Sequence, residues 1–109
     1  MSAQKINIEI EQGATFYKDV ELLDSNGNIF TVAGWTGAGQ VRKHFASNTS
    51  YDFDVSLEDG VLTFEMDATT TATLKDGLYL YDIEIENTAD GTVKRVMSGM
   101  ATVSAEVTR

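Results

Sequence analysis

Apolar and polar residues alternate with period two along most of the chain, which is the pattern of strands buried on one face. Ile6, Ile8 and Ile10 alternate with Asn7, Glu9 and Glu11, and Gln12-Gly13 closes this first strand. Phe16, Val20 and Leu22 share one parity while Tyr17, Asp19 and Glu21 share the other; Lys18 falls on the apolar parity, which suits an edge. Asp24-Ser-Asn-Gly-Asn28 is a turn, and residues 29–32 read as a short strand. Gly34, Gly37 and Gly39 around Trp35 predict a flexible connection, followed by a strand over residues 40–45. No helix pattern follows these glycines, so they do not read as a phosphate loop.

Further along, Tyr51, Phe53, Val55 and Leu57 alternate with Asp52, Asp54 and Ser56. Glu58-Asp59-Gly60 then turns the chain into residues 61–66, whose Leu62, Phe64 and Met66 share a face, so the two runs form a hairpin. Residues 67–72 suit one helical turn or an irregular crossover, because an aspartate before threonines favours a cap over a helix interior. After Gly77 a long strand sets Tyr79, Tyr81, Ile83 and Ile85 against Asp82, Glu84 and Glu86. Residues 92–98 and 100–107 complete the set, with Gly99 expected to carry a bulge. About seven or eight strands at this spacing predict an all-β fold, an immunoglobulin-like antiparallel β-sandwich occupying residues 1–109 as one domain. Gly77-Leu-Tyr79 fits a tyrosine corner there, its hydroxyl returning to backbone a few residues upstream, with Tyr81 facing the core.

Composition narrows the function classes. Seventeen acidic against eight basic residues give a net charge of −9, which disfavours nucleic acid as a partner. The chain has no cysteine, so disulfides and thiolate metal sites are excluded. Met1-Ser-Ala-Gln-Lys-Ile-Asn-Ile has no apolar signal region, and no apolar run approaches the roughly 20 residues of a membrane helix, so no membrane partner is expected. Asn48-Thr-Ser50 matches a glycosylation sequon but reads as a polar turn without a secretory signal.

Candidate chemistry is sparse. The loop from Asp24 begins like a calcium loop and then fails, having Ile29 where glycine is needed and Trp35 where glutamate is needed. Asp52 with Asp54, and Glu84 with Glu86, share strand faces that the alternation turns to solvent. His44 is the sole histidine, and Ser47 and Ser50 nearby lie in no nucleophile elbow. No catalytic, cofactor-binding or metal residue is therefore assigned. Arg42, Lys43 and His44 form a basic spot, repeated by Lys94-Arg95, that suits a partner contact. Trp35 is either a core plug or an interface anchor. Near the C-terminus Ala101, Val103, Ala105 and Val107 share one parity with little bulk. Residues 105–109 are thus either the frayed end of an edge strand or a segment that adds to a partner's sheet. The candidate interface comprises Trp35, Arg42, Lys43, Val103, Ala105, Val107 and Arg109.

Ile10-Glu-Gln-Gly-Ala-Thr-Phe16, Leu23-Asp-Ser-Asn-Gly27, Gln40-Val-Arg-Lys43, Gly77-Leu-Tyr-Leu-Tyr-Asp82, Gly99 and the ending Val103-Ser-Ala-Glu-Val-Thr-Arg109 together resemble small tailed-phage virion structural proteins of the marine and cyanobacterial type. A weaker similarity extends to the immunoglobulin-like N-terminal domain of phage baseplate upper proteins. Related endings often carry proline where this chain has Ala105. The resemblance implies a non-enzymatic protein of the virion that decorates the capsid or joins its parts. It implies other virion proteins as partners, a homo-oligomer in the particle, and no cofactor. A tail baseplate or fibre-attachment module is the alternative it leaves. From the residues themselves, a small carbohydrate-binding module using Trp35 and Tyr17 as stacking platforms is another.

Overall fold

The structure is a computed structural model and describes residues 3–44 and 49–107. In chain order it contains β1 (Gln4–Lys5), β2 (Ile8–Glu11), β3 (Phe16–Glu21), β4 (Trp35–Arg42), β5 (Ser50–Glu58), β6 (Val61–Met66), the helical turn α1 (Ala68–Thr71), β7 (Gly77–Asn87) and β8 (Val93–Ser104). The fold is all-β, and its strands follow the hydrogen-bonded order β1-β8-β7-β4-β5-β6-β3, with β2 also on β8. β5 makes the corner of this path. Its first residues, Ser50 to Phe53, pair with β4, and the stretch from Asp54 to Glu58 pairs with β6.

The sheet curls at this corner so that β6 faces β7, and aromatic side chains fill the space between. Phe64 of β6 stacks on Tyr81 of β7 with ring centres 6.0 Å apart, and the edge of Phe53 meets Phe64 at 5.1 Å. Ile10, Val41, Leu62, Ile83, Ile85 and Met97 are buried around them. Burying side chains of this size stabilises the fold by about 1.5–3 kcal/mol each before conformational entropy is set against it.

Several expectations need correction. The sheet is mixed, because β1 and β2 run parallel to β8 while the other pairs are antiparallel. The expected flexible connection is strand: β4 begins at Trp35 and pairs with β7 along its full length. Its glycines answer to packing, since a Cβ at Gly37 would collide with Val55 and one at Gly39 with Ile83. Residues 29–32 form no strand and make only the isolated bridge from Leu23 to Ile29. Residues 93–104 are one continuous strand, and its irregularity lies at Val96, between the pairs Ile83↔Met97 and Glu84↔Arg95, instead of at Gly99. The absent side chain at Gly99 serves the crossing of the chain between β1 and β2, where a Cβ would run into the Ile6 carbonyl.

Polar side chains tie the loops down. Tyr79 donates its hydroxyl to the Lys75 carbonyl at 2.8 Å, four residues upstream, as the corner reading expects. Tyr81 donates to the Ile6 carbonyl and so fastens β7 to the start of the chain. Burial holds the Tyr79 phenol above its usual range and pushes Tyr81 up to about 12. Both therefore remain hydroxyl donors at neutral pH. Thr71 is buried in α1; it donates to the Ala14 carbonyl at 2.8 Å and accepts from the Gly13 N–H at 3.1 Å. Asp67 caps that turn through the Thr70 N–H, and hydrogen bonding from the Thr70 side chain, then from that N–H, holds its carboxyl below the usual range.

Candidate functional site

The register of β4, β7 and β8 fixes which side chains share the outer face of the sheet. Arg42, Leu80 and Met100 stand directly opposite one another across the three strands, with Leu78 beside Thr102 one row outward. The next row toward the other end joins Asp52, Gln40, Asp82 and Ser98, and beyond it Ala38, Glu84 and Arg95. One end of this face is apolar with a guanidinium, and the other is acidic. Leu78 is 54% exposed and Met100 is 42% exposed.

Leu78, Leu80 and Met100 were not among the residues singled out from the sequence, although a signal was present. Leu78-Tyr79-Leu80-Tyr81 is apolar on both parities, whereas a strand with one solvated face should alternate. The tyrosines take the inner side, so the leucines are left outside. Arg42 is steadied by donating to Gln40 Oε1 at 2.9 Å, and Gln40 in turn donates to Asp52 at 3.1 Å. The Arg95–Asp82 pair at 3.5 Å is open to solvent and contributes little.

The candidate interface residues are distributed unevenly. Arg42 stands opposite Leu80 in the apolar patch, whereas the Lys43 ammonium lies over the Tyr79 ring. Trp35 lies at the opposite end of β4, half-buried, its ring meeting Phe30 edge-on at 5.4 Å above a groove that Ile29, Val32 and Leu57 also line. Val103 is core, 2% exposed, held between β7 and β2, and thus turned away from any partner. The strand to which it belongs is interior here, so the expected edge strand is not found at β8. Ala105 and Val107 follow the end of β8 and are exposed, Val107 at 94%. Between them the Glu106 N–H donates to Gln12 Oε1 at 3.1 Å. Arg109, like Phe45, Ser47 and Asn48, lies outside the described residues.

Asp24 spends one carboxylate oxygen on the N–H groups of Asn26 and Asn28, at 2.9 and 3.0 Å, which is a turn. Among the described residues, no three carboxylates or histidines are grouped to hold a metal ion. His44 is exposed at the end of β4. Tyr17 belongs to β3 and pairs across to Glu65 of β6, whereas Trp35 pairs across to Asn87 of β7, so the two rings do not share a platform.

No protein-family model matches the chain, and no curated protein matches it. Among solved structures it is similar to part of a family 123 glycoside hydrolase from Clostridium perfringens. That likeness has 11% identity and a TM-score of 0.39, and covers 96% of this chain but 23% of the hydrolase chain. A similarity of this size carries no argument about activity.

Proposed function

We propose that this chain is a non-enzymatic structural protein of a phage particle, decorating the capsid or joining parts of the virion, with an immunoglobulin-like sandwich as its platform. The sequence resemblance supports the virion setting. The strand pairing supports the platform: β3, β6 and the second half of β5 stand in the relation of strands B, E and D, while β4, β7 and β8 stand in that of C, F and G. The Tyr79 hydroxyl bond at the start of β7 is the tyrosine corner of the same plan.

One observation carries the docking role. The outer face of the central strands is apolar at Leu78, Leu80 and Met100, where a solvated sheet would be polar. Capsid and tail baseplate are both open to such a module, and gold-labelled antibody against the chain, viewed on particles by electron microscopy, separates them. The docking test is the double variant Leu78→Asp/Met100→Asp. We expect an unchanged cooperative melt and loss of co-sedimentation with particles. Normal co-sedimentation of that variant overturns the docking assignment.

A further inference from the structure

Where β7 begins, a recess of a different chemical character opens on the side of the sheet that carries Tyr79. Lys43, His44 and Lys75 converge on a cavity of ≈ 480 Å³, with Tyr51, Tyr79 and Asp76 completing its wall. The chain has eight lysines and arginines and one histidine against seventeen acids, so three of its nine basic side chains gather at this one place, against the trend of the molecule.

Lys43 is positioned before anything binds. Its ammonium lies 4.8 Å from the centre of the Tyr79 ring, and Tyr79 is itself fixed by its bond to the Lys75 carbonyl. The ammonium also rests against Gly77, where a Cβ would meet Nζ at 2.9 Å. Neither Lys43 nor Lys75 forms an ion pair among the described residues. An aromatic face holds a cation in place without neutralising it, so the charge remains available to an incoming anion at little ordering cost.

We infer that this recess binds an acidic side chain of a partner protein, its carboxylate received between the ammonium groups of Lys43 and Lys75. The carboxylate of Asp76 on the same wall offers an acceptor for a peptide N–H beside that side chain. A sugar acid is less well served, because Lys43 covers the Tyr79 face on which a sugar ring would stack. The inference rests on the reading of this chain as a docking module, and it describes part of the docked partner as acidic.

The test uses the full chain labelled with ¹⁵N and hexaglutamate peptide as the probe, at low ionic strength, with glucuronate in a parallel titration. Shifts should centre on Lys43, Lys75, Asp76 and Tyr79 and fade as salt is added. Lys75→Ala, at an exposed position, should keep the melt and weaken hexaglutamate by roughly threefold to tenfold, with Lys75→Arg restoring it. An unchanged Kd in Lys75→Ala, or shifts scattered away from the recess, overturns the inference. Tighter binding of glucuronate than of hexaglutamate overturns it in favour of a sugar acid. Failure here leaves the particle association of the parent chain untouched, whereas failure of the docking reading shows as normal co-sedimentation of Leu78→Asp/Met100→Asp.

Discussion

The two halves of β7 run on one uninterrupted strand and differ in what covers them. From Asp82 onward the strand alternates as a one-sided sheet should, with Ile83 and Ile85 buried and Asp82, Glu84 and Glu86 turned outward. From Leu78 to Tyr81 both faces are apolar, and among the described residues the fold buries the inner one while leaving Leu78 exposed and Leu80 half-buried on the outer. Burial of Tyr79 and Tyr81 accounts for the inner side; among the described residues nothing closes over the outer side of Leu78. The contrast teaches that departures from period two are informative in themselves. Where alternation holds, the chain's own core explains the residues, and where it lapses, as at Leu78, an apolar side chain stands open among the described residues.

The largest effect expected from this contrast is in the second half. Ile83→Ala empties a fully buried site between Gly39 and the aromatic core, and should cost about 2–5 kcal/mol in chemical denaturation. A loss below about 1 kcal/mol would mean that this half of β7 is not the centre of the core.

An intermediate effect belongs to the inner side of the first half. The Tyr81 phenol is pushed up to about 12 by burial, against an ordinary value of 10.0. The unfolded chain therefore gives up this proton at a lower pH than the folded one. Its contribution to stability is fully present below pH 10 and is lost as pH rises toward about 12. Urea midpoints measured across that window should fall, and Tyr81→Phe should flatten the fall. An equal decline in both proteins would show that some other group governs alkaline unfolding.

Much of the architecture was legible because it is local. The strand over residues 61–66 and the Asp67-capped turn coincide with β6 and α1, since alternation and capping act between near neighbours. The start of β4 is hidden in the sequence, because Gly37 and Gly39 read as punctuation while Val55 and Ile83 occupy the space their side chains would take. The parallel pairing of β2 with β8 joins the two ends of the chain, and no local pattern encodes a partner so distant. Hence β8 looked like an edge when it is interior. The bulge was misplaced at Gly99 although Val96-Met97, two consecutive buried residues, breaks the alternation where the register shifts. Of the candidate site, the clustering of Arg42 and Lys43 was visible in adjacent residues. Its apolar neighbours Leu80 and Met100 come from two strands, and only their register brings them together.

The smallest expected effect decides what the first half of β7 is for. Leu80 lies between Arg42 and Met100 on the outer face, in the same strand as Ile83 and only three residues away, yet on the opposite side of the sheet. Leu80 is half-buried, so if the rest of its cover is external, removing its side chain costs the isolated domain far less than removing that of Ile83. Leu80→Ser should therefore lower the stability of the isolated domain by no more than about 1 kcal/mol, part of the worth of a fully buried leucine. In the docked state the same change should weaken association, because a buried leucine is worth about 1.5–3 kcal/mol relative to an exposed one. A loss in the isolated domain comparable to that of Ile83→Ala would place Leu80 in the chain's own core. The two-sided apolar stretch would then be explained by internal packing, with no partner required.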